Sequence, residues 1–280
     1  MVWVGRGSKD HLVPTFLLWM PLTRSDCSKC QPTLTLKRAN HSCERLRNIS
    51  ALSQAFSIAI LEKEETNMKE LLVFHLKTLL EQCTDEEMLK FMAGQNSVWS
   101  ICGRDVLAAF DLSPFTQIYD LGGGGGALAQ ECVSLYPNST VTIYDLPKVV
   151  QVAKEQFVSP EEHQITFHEG DFFNDSIPAA ELYILSKILH DWDDDKCKQL
   201  LAKVYKACKP GGGVLLVESL LNEDKSGPVE TQLYSMNMLV QTEGKERTAA
   251  EYSKLLESAG FGMIQVKRTG KLYDAVLGRK

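Results

Sequence analysis

The sequence has no uninterrupted apolar run close to the ~20 residues that a helix needs to span a bilayer, so no membrane association is expected. Basic residues are not in excess either, because 30 Lys and Arg stand against 36 Asp and Glu. The resulting net charge of −6 argues against nucleic acid as a partner, since such proteins normally carry a basic face. Internal repeats are absent. These absences predict a soluble globular protein of the cytoplasm.

The eight cysteines form no convincing disulfide framework or metal module. Cys27 and Cys30 lie near His41 and Cys43, but their spacing fits no common zinc module and no core-forming pattern surrounds them. No metal site is therefore predicted. Residues 12–22 resemble a signal peptide only vaguely, because two prolines interrupt them and no small-residue cleavage site follows.

The chain is predicted to consist of three parts. Residues 1–50 show no periodicity and are expected to be irregular or disordered. Residues 51–108 have helical periodicity, and Thr84 followed by Glu87 predicts a capping box that opens one of the helices. Residues 109–280 alternate apolar strands with amphipathic helices, which predicts a mostly parallel sheet with helices on both faces.

Seven strands and five helices are predicted within this last part. The strands cover residues 117–121, 141–145, 165–167, 182–188, 214–217, 263–268 and 273–277. The helices cover residues 128–136, 147–157, 193–208, 230–242 and 249–259, and a turn at 209–213 follows the third of them. The last two strands are joined by a tight turn, so we expect them to be antiparallel.

The most informative stretch is residues 118–127, IYDLGGGGGA, where an apolar strand runs through an aspartate into five glycines and then into a helix. A glycine loop at a helix N-terminus presents backbone N–H groups to a polar ligand. The glycines fit the dinucleotide fingerprint G-x-G-x-x-A, which would begin at Gly122. They equally fit the methyltransferase motif D-x-G-x-G-x-G, which would begin at Asp120 and include Gly124. The loop alone does not decide between the two cofactors.

Open α/β sheets bind ligands at the carboxyl ends of their strands. This rule selects Asp120 and the glycines after the first strand, and Asp145 after the second, where a carboxylate can accept both ribose hydroxyl protons. After the third strand it selects residues 170–173 (GDFF), which offer an adenine slot with Asp171 as the polar contact. After the fourth it selects residues 189–192 (LHDW). Several acidic residues are thus expected around one cleft.

Charge favours one of the two cofactors. A pyrophosphate would be repelled by Asp120, whereas a sulfonium compound with a cationic methionyl end would be attracted to it. The negative charge of Asp120 therefore favours S-adenosylmethionine over a nicotinamide dinucleotide.

Taken together, these motifs resemble those of a known family, the S-adenosylmethionine-dependent small-molecule O-methyltransferases. The resemblance covers about residues 85–280 and rests on the motifs above together with Lys209-Pro210-Gly211-Gly212. Further segments are similar to the members that methylate hydroxyindoles such as N-acetylserotonin, a step of melatonin synthesis; these are AFDLSPF (109–115), YILSKILHDW (183–192), SMNMLVQTEGKERT (235–248) and YDAVL (273–277).

The resemblance implies a Rossmann-like methyltransferase fold and a set of site residues. His190 would be the catalytic base, with Glu246 as its orienting partner and Asp191 beside it. The implied cofactor contacts, together with those from the strand-end rule, are Trp99, Asp120, Gly122, Gly124, Asp145, Gly170, Asp171, Phe172 and Lys187. The implied substrate contacts are Asn237, Met238 and Gln241.

The chemistry fits these assignments. A phenolic hydroxyl has a pKa near ~10 and is rarely ionised at neutral pH. A histidine with a pKa near ~6.5 is mostly neutral there and can accept the proton as the methyl group is transferred. General-base assistance of this kind is worth about 10² to 10⁴ in rate.

The sequence also departs from the family pattern. Family members are homodimers built through an N-terminal winged-helix region, and residues 1–66 do not resemble it, so most of the dimerisation region is expected to be missing. Gln82 stands where an aromatic residue is expected, and Lys187 where an arginine is usual. Two alternatives therefore stay open: a cofactor-binding protein with little or no catalysis, and an NAD oxidoreductase.

Overall fold

Residues 84–280 are described by the structure, a computed structural model, and all of them lie in the compact unit Leu72–Lys280. The predictions for residues 1–50, for helices before residue 84, for the Cys27–Cys43 cluster and for Gln82 lie outside the described residues. None of the helices between residues 84 and 280 is long and apolar enough to cross a membrane.

Seven strands form one sheet. They are β1 (Gln117–Leu121), β2 (Thr140–Asp145), β3 (Ile165–Glu169), β4 (Ala180–Ser186), β5 (Cys208–Glu218), β6 (Gly262–Lys267) and β7 (Asp274–Arg279). Their order across the sheet is β3-β2-β1-β4-β5-β7-β6. The first five are parallel, and β7 runs antiparallel to both β5 and β6. The predicted fold class, a mostly parallel seven-stranded sheet with an antiparallel final hairpin, is confirmed.

Between residues 84 and 280, six α-helices and one 3-10 turn accompany the sheet. The helices are α1 (Asp85–Leu107), α2 (Ala127–Leu135), α3 (Pro147–Gln156), α4 (Asp194–Ala207), α5 (Val229–Gln241) and α6 (Ala249–Ala259), and the 3-10 turn is Leu189–Asp191. The predicted capping box opens α1, because Thr84 and Glu87 satisfy each other's backbone N–H groups. Thr248 and Glu251 form a second capping box at α6.

The core lies on both faces of the sheet, as expected for parallel strands covered by helices. On one face, Val106 of α1 and Leu128 of α2 pack with Ile118 of β1. On the other face, Leu200 of α4 and Leu256 of α6 belong to a second buried cluster. Helix α1 thus shares a core with the sheet, while the predicted domain boundary after residue 108 stays a prediction.

Among the boundaries that differ from the sequence prediction, two have a clear local cause. The predicted turn at 209–213 is part of β5. Ala180 of β4 pairs with Cys208 of β5, but the next pair is Leu182 with Gly213, so the extra residues of β5 form an irregular bulge. Gly212 permits this bulge, since a Cβ there would overlap the Glu181 carbonyl oxygen. Strand β4 ends at residue 186 rather than 188 because the next residue adopts a left-handed conformation.

The strand register brings the site together. Leu121, the last residue of β1, pairs with Tyr144 near the end of β2 and with Leu185 near the end of β4. The loop that follows β1 therefore emerges between the ends of its two neighbours, at the carboxyl edge of the sheet.

Candidate active site at the carboxyl edge of the sheet

The glycine loop has a backbone that requires glycine at alternate positions. Gly122, Gly124 and Gly126 have φ values of 74°, 54° and 78°, in the left-handed region. A Cβ at Gly122 would overlap the side chain of Ile188 and lie 3.8 Å from the ring of Phe172. At Gly124 no atom lies within 4 Å of such a Cβ, so this part of the loop faces open space.

Asp145 ties the glycine loop to the neighbouring strand. Its Oδ2 accepts a hydrogen bond of 2.9 Å from the Gly124 N–H, and its Oδ1 accepts one of 2.8 Å from the Leu146 N–H. Burial raises the pKa of this carboxyl to about 6, against the effect of these two hydrogen bonds. The predicted ribose contact is thus held at the edge of the loop.

Asp120 lies buried beneath the glycine loop. Its side chain is 1% exposed, and a Cβ at Gly123 would lie 2.8 Å from Oδ2. Within residues 84–280 neither carboxylate oxygen has a hydrogen-bond partner. Burial, and secondarily the charge of Asp145, raise its pKa to about 7. A buried carboxylate without partners is costly, so a cation bound at the loop would stabilise it.

The segment after β3 has the form of an aspartate turn. Asp171 accepts hydrogen bonds from the Phe173 N–H at 2.9 Å and from the Asn174 amide at 2.7 Å. Gly170 allows close contact with Tyr144, because a Cβ there would overlap the tyrosine hydroxyl. These hydrogen bonds explain why an aspartate stands at position 171 of the turn. Its predicted contact with adenine stays a prediction.

Lys187 is a buried cation at the end of β4, 8% exposed and with a φ of 58°. Its Nζ donates to Gln95 and lies 5.9 Å from the ring centre of Trp99 and 5.6 Å from that of Tyr273. Burial lowers the pKa of Lys187 to about 7, although nearby carboxylates raise it. A strained non-glycine residue in this position is typical of functional sites. Trp99 and Lys187, both predicted cofactor contacts, therefore lie together.

His190 lies in the 3-10 turn among three carboxylates. Its Nδ1 is 3.0 Å from Oε1 of Glu246 and 3.3 Å from Oε2 of Glu218, and its Nε2 is 3.5 Å from Oδ1 of Asp191. The side chains of Glu218 and Glu246 are 0% and 1% exposed. Burial raises the pKa of Glu218 to about 7, against the charge of His190. The predicted trio His190, Asp191 and Glu246 is thus assembled, with one carboxylate that was not predicted.

The protonation state of His190 differs from the sequence prediction of a mostly neutral imidazole. Burial lowers its pKa, but Glu246, Glu218 and Asp191 together raise it more, to about 10. A pKa of about 10 means that the imidazole is mostly protonated at neutral pH. The physical reason is that three negative side chains surround one ring in a region that water does not screen.

The predicted substrate residues lie on α5, which packs against the 3-10 turn. Gln241 donates a hydrogen bond of 2.8 Å to Asn237 one turn earlier. Met238 is buried, 3% exposed, so it serves the core whatever else it contacts. Their predicted contact with a substrate stays a prediction.

A sequence model of the O-methyltransferase domain matches residues 64–262, more than half of the chain. The chain belongs to the O-methyltransferase domain family. Acetylserotonin O-methyltransferase of Gallus gallus is 84% identical over 197 residues, which are 70% of this chain and 57% of that protein. The Homo sapiens enzyme of the same name is 58% identical over the same shares. The crystal structure of human N-acetylserotonin methyltransferase in complex with S-adenosylmethionine (SAM) matches with a TM-score of 0.69 and 58% identity, over 70% of this chain and 56% of that one.

The chain spans 57% of the length of the two relatives. Within this O-methyltransferase domain, the glycine loop and the His190 cluster are neighbours. Ile188, which precedes His190 by two residues, has its side chain against Gly122 of the loop. The family resemblance found in the sequence is confirmed at the level of the domain.

Three residues of this region were missed by the sequence prediction. Glu218 ends β5, so the strand-end rule that selected the acids after β1 and β2 would have found it as well. Gly244 and Arg247 gave no signal of that kind. They lie in a loop far along the chain, and only the tertiary structure brings them against the turn that carries His190.

Proposed function

We propose that the chain is an S-adenosylmethionine-dependent O-methyltransferase that methylates the hydroxyl group of a hydroxyindole such as N-acetylserotonin, with His190 as the base. The observation that carries the proposal is the buried imidazole with two glutamates behind Nδ1, next to a glycine loop at the carboxyl edge of the sheet. The names of the relatives support the acceptor, because both are acetylserotonin O-methyltransferases.

The residues of the glycine loop fit this cofactor. Asp120 offers a buried carboxylate without hydrogen-bond partners in the described part of the chain, which suits a cationic amino group. Asp145 offers a carboxylate to ribose hydroxyls, while Gly124 leaves open space for a close approach. The further residues that would hold the cofactor are Trp99, Gly122, Gly170, Asp171, Phe172 and Lys187. When bound, S-adenosylmethionine supplies an electrophilic methyl group on a sulfonium that is a good leaving group.

His190 would take the proton of the acceptor hydroxyl. A phenol has a pKa near ~10, and the surrounding carboxylates raise the pKa of His190 to about 10 as well. Once it has lost its proton, His190 is therefore a stronger base than an ordinary histidine and can accept the proton of a phenol. Glu246 and Glu218 stabilise the imidazolium that results.

At neutral pH, however, a pKa of about 10 leaves the imidazole mostly protonated, so it must lose a proton before it can act as the base. A positive charge bound near the cluster lowers the pKa of a neighbouring imidazolium. The neutral base would therefore be produced most readily in the loaded site, and the rate of methyl transfer should rise with pH. Asp191, near Nε2, is positioned on the side from which the hydroxyl would approach.

The proposal is tested by titrating the purified chain with S-adenosylhomocysteine in a calorimeter and by measuring methyl transfer to N-acetylserotonin. His190→Ala should abolish turnover and keep cofactor binding. His163→Ala is the matched control, because His163 is exposed and lies outside the site. If His190→Ala turned over like the wild type, the assignment of the base would be wrong.

A second candidate function is cofactor binding with little or no catalysis. It is favoured by one observation: the glycine loop, Asp120 and Asp145 form a cofactor site, whereas the proposed substrate residues Asn237 and Gln241 are hydrogen-bonded to each other. Heat on titration with S-adenosylhomocysteine, without methyl transfer to any hydroxyindole, would select this function.

We also propose that the chain acts in the cytoplasm as a homodimer, as expected for the family. On α5, Val229 and Leu233 are exposed, at 63% and 46%, which is unusual for large apolar side chains on one helix face. Light scattering after gel filtration would give the oligomeric state, and a monomer at micromolar concentration would reject the dimer.

A further inference from the structure

Arg247 is buried completely, at 0% exposure, although arginine is rarely found in that state. Burying a guanidinium is costly unless its donors all find acceptors. Here they do. Nε and Nη2 donate to Asp194 Oδ1 at 3.0 and 2.7 Å, and Nη1 donates to the Lys245 carbonyl at 3.3 Å.

The remaining two donors reach the backbone on either side of His190. Nη1 donates to the Leu189 carbonyl at 2.8 Å, and Nη2 donates to the Trp192 carbonyl at 2.8 Å. Leu189 immediately precedes the histidine, and Trp192 follows it by two residues. One planar group thus bridges the start and the end of the turn that carries the imidazole.

A second, independent contact comes from the same segment. A Cβ at Gly244 would overlap the His190 carbonyl oxygen and lie 2.6 Å from the Asp191 carbonyl carbon. The backbone of residue 244 therefore touches the backbone of the histidine itself. Residues 244–247 contact this turn through a glycine backbone, through the Glu246 carboxylate and through the Arg247 guanidinium.

The opposite side of the turn is fixed by Glu218. Its Oε1 accepts hydrogen bonds from the backbone N–H of Ile188 at 3.2 Å and of Leu189 at 2.9 Å. The Glu218 carboxylate thus binds backbone N–H groups at the start of the turn, while the Arg247 guanidinium binds backbone carbonyls on its other side. Together they hold the turn in place.

We propose that Arg247 is a positioning residue, which acts through His190 by fixing the turn that presents the imidazole; this rests on the proposed role of His190 as the base. Without the guanidinium, the Leu189 carbonyl keeps only the Trp192 N–H at 3.3 Å and the Cys197 thiol at 3.2 Å as donors. The Trp192 carbonyl keeps only the Cys197 thiol at 3.6 Å, so the bridge across the turn is lost and the turn can shift. A displacement of about 1 Å at a catalytic group can lower the rate by about 10²-fold.

The test is Arg247→Lys, which keeps the charge but cannot bridge two carbonyls with a planar group. Arg268→Lys is the control, because Arg268 makes the same kinds of contact elsewhere: it donates to the Leu220 and Leu221 carbonyls at 2.6 and 2.7 Å and pairs with Asp274. We expect Arg247→Lys to lower kcat by about 10²-fold with unchanged affinity for S-adenosylhomocysteine. Arg268→Lys should keep the wild-type kcat.

A second readout does not depend on activity. The NMR chemical shift of the His190 ring should differ from the wild type in Arg247→Lys and stay the same in Arg268→Lys. If the wild-type chain transferred no methyl group, the proposed function would fail, and this comparison alone would decide the positioning role. A folded Arg247→Lys variant with wild-type ring shift, or with equal loss of cofactor affinity and kcat, would overturn the proposal.

If Arg247→Lys does not fold, as judged by circular dichroism, Asp194→Asn decides. Asp194 is 49% exposed and holds the guanidinium from its outer side. A shifted His190 ring resonance and a lowered kcat at unchanged cofactor affinity would support the proposal. An unchanged resonance and an unchanged kcat would overturn it.

Discussion

Replacing Glu246 with glutamine removes one of the two negative charges behind Nδ1 of His190 while keeping the size and shape of the side chain. The Glu246 oxygen lies 3.0 Å from Nδ1, and the carboxylate is 1% exposed, so water screens the pair little. Glu246 is also the strongest of the carboxylates that raise the pKa of His190.

The magnitude follows from Coulomb's law. Two unit charges at 3.0 Å interact by ~5 kcal/mol at an effective dielectric constant of about 20, and each pKa unit corresponds to about 1.4 kcal/mol. Part of this interaction is retained because the amide oxygen of the glutamine can still accept a hydrogen bond from Nδ1. We therefore expect the pKa of His190 to fall from about 10 to about 7 or 8 in Glu246→Gln.

The sign of the effect on the rate depends on pH. A lower pKa yields more neutral imidazole at neutral pH, but a weaker base removes the proton more slowly. The rising limb of kcat against pH should therefore move to lower pH, while the plateau at high pH falls by about 10- to 10²-fold.

Two measurements test this prediction, namely NMR titration of the His190 ring and the pH profile of methyl transfer. Glu243→Gln is the matched control, because Glu243 lies in the same loop but pairs with Lys196 at 2.6 Å. If Glu246→Gln left both the ring titration and the rising limb where they are in the wild type, Glu246 would not set the pKa of His190.

Three further predictions concern the cofactor loop and the fold. Because burial raises the pKa of Asp120 to about 7, cofactor affinity should rise between about pH 5 and pH 8 as this carboxyl loses its proton, and Asp120→Asn should flatten that rise in calorimetry. Gly122→Ala should lower the free energy of unfolding, measured in urea, by more than Gly124→Ala does. Both variants place a strained left-handed residue in the loop at about 1–2 kcal/mol, but only the one at Gly122 also collides with Ile188. Equal losses would contradict the structure. Thr248→Ala should cost about 1 kcal/mol by removing the cap of α6, with an unchanged midpoint of denaturation as the contrary result.

The elements of the sheet could be predicted from the sequence because their signals are local. The strand 117–121 has the predicted bounds, and α6 covers 249–259 as predicted. Parallel strands buried on both faces are continuous apolar runs, and such runs are easy to recognise. The turn at 209–213 was mistaken because proline and three glycines are typical of turns, while a bulge in β5 is set by pairing with β4.

The electrostatics of the site could not be predicted from the sequence. A histidine at the end of a strand has an ordinary pKa until carboxylates surround it. Asp191 is adjacent to His190 in the chain, but Glu218 and Glu246 are 28 and 56 residues away. The contacts of Arg247 depend on the same long-range packing. Residue types at strand ends predict which groups meet, but the distances that decide their protonation come only from the folded chain.

A crystal structure of the chain with S-adenosylhomocysteine would test the cofactor loop and the position of the base together. We expect the ligand to lie over Gly122 and Gly124 with its ribose at Asp145, its amino group above Asp120 and its sulfur on the side of the site where Nε2 of His190 lies. A ligand bound away from the glycine loop, or an imidazole turned with Nε2 into the protein interior, would contradict the account.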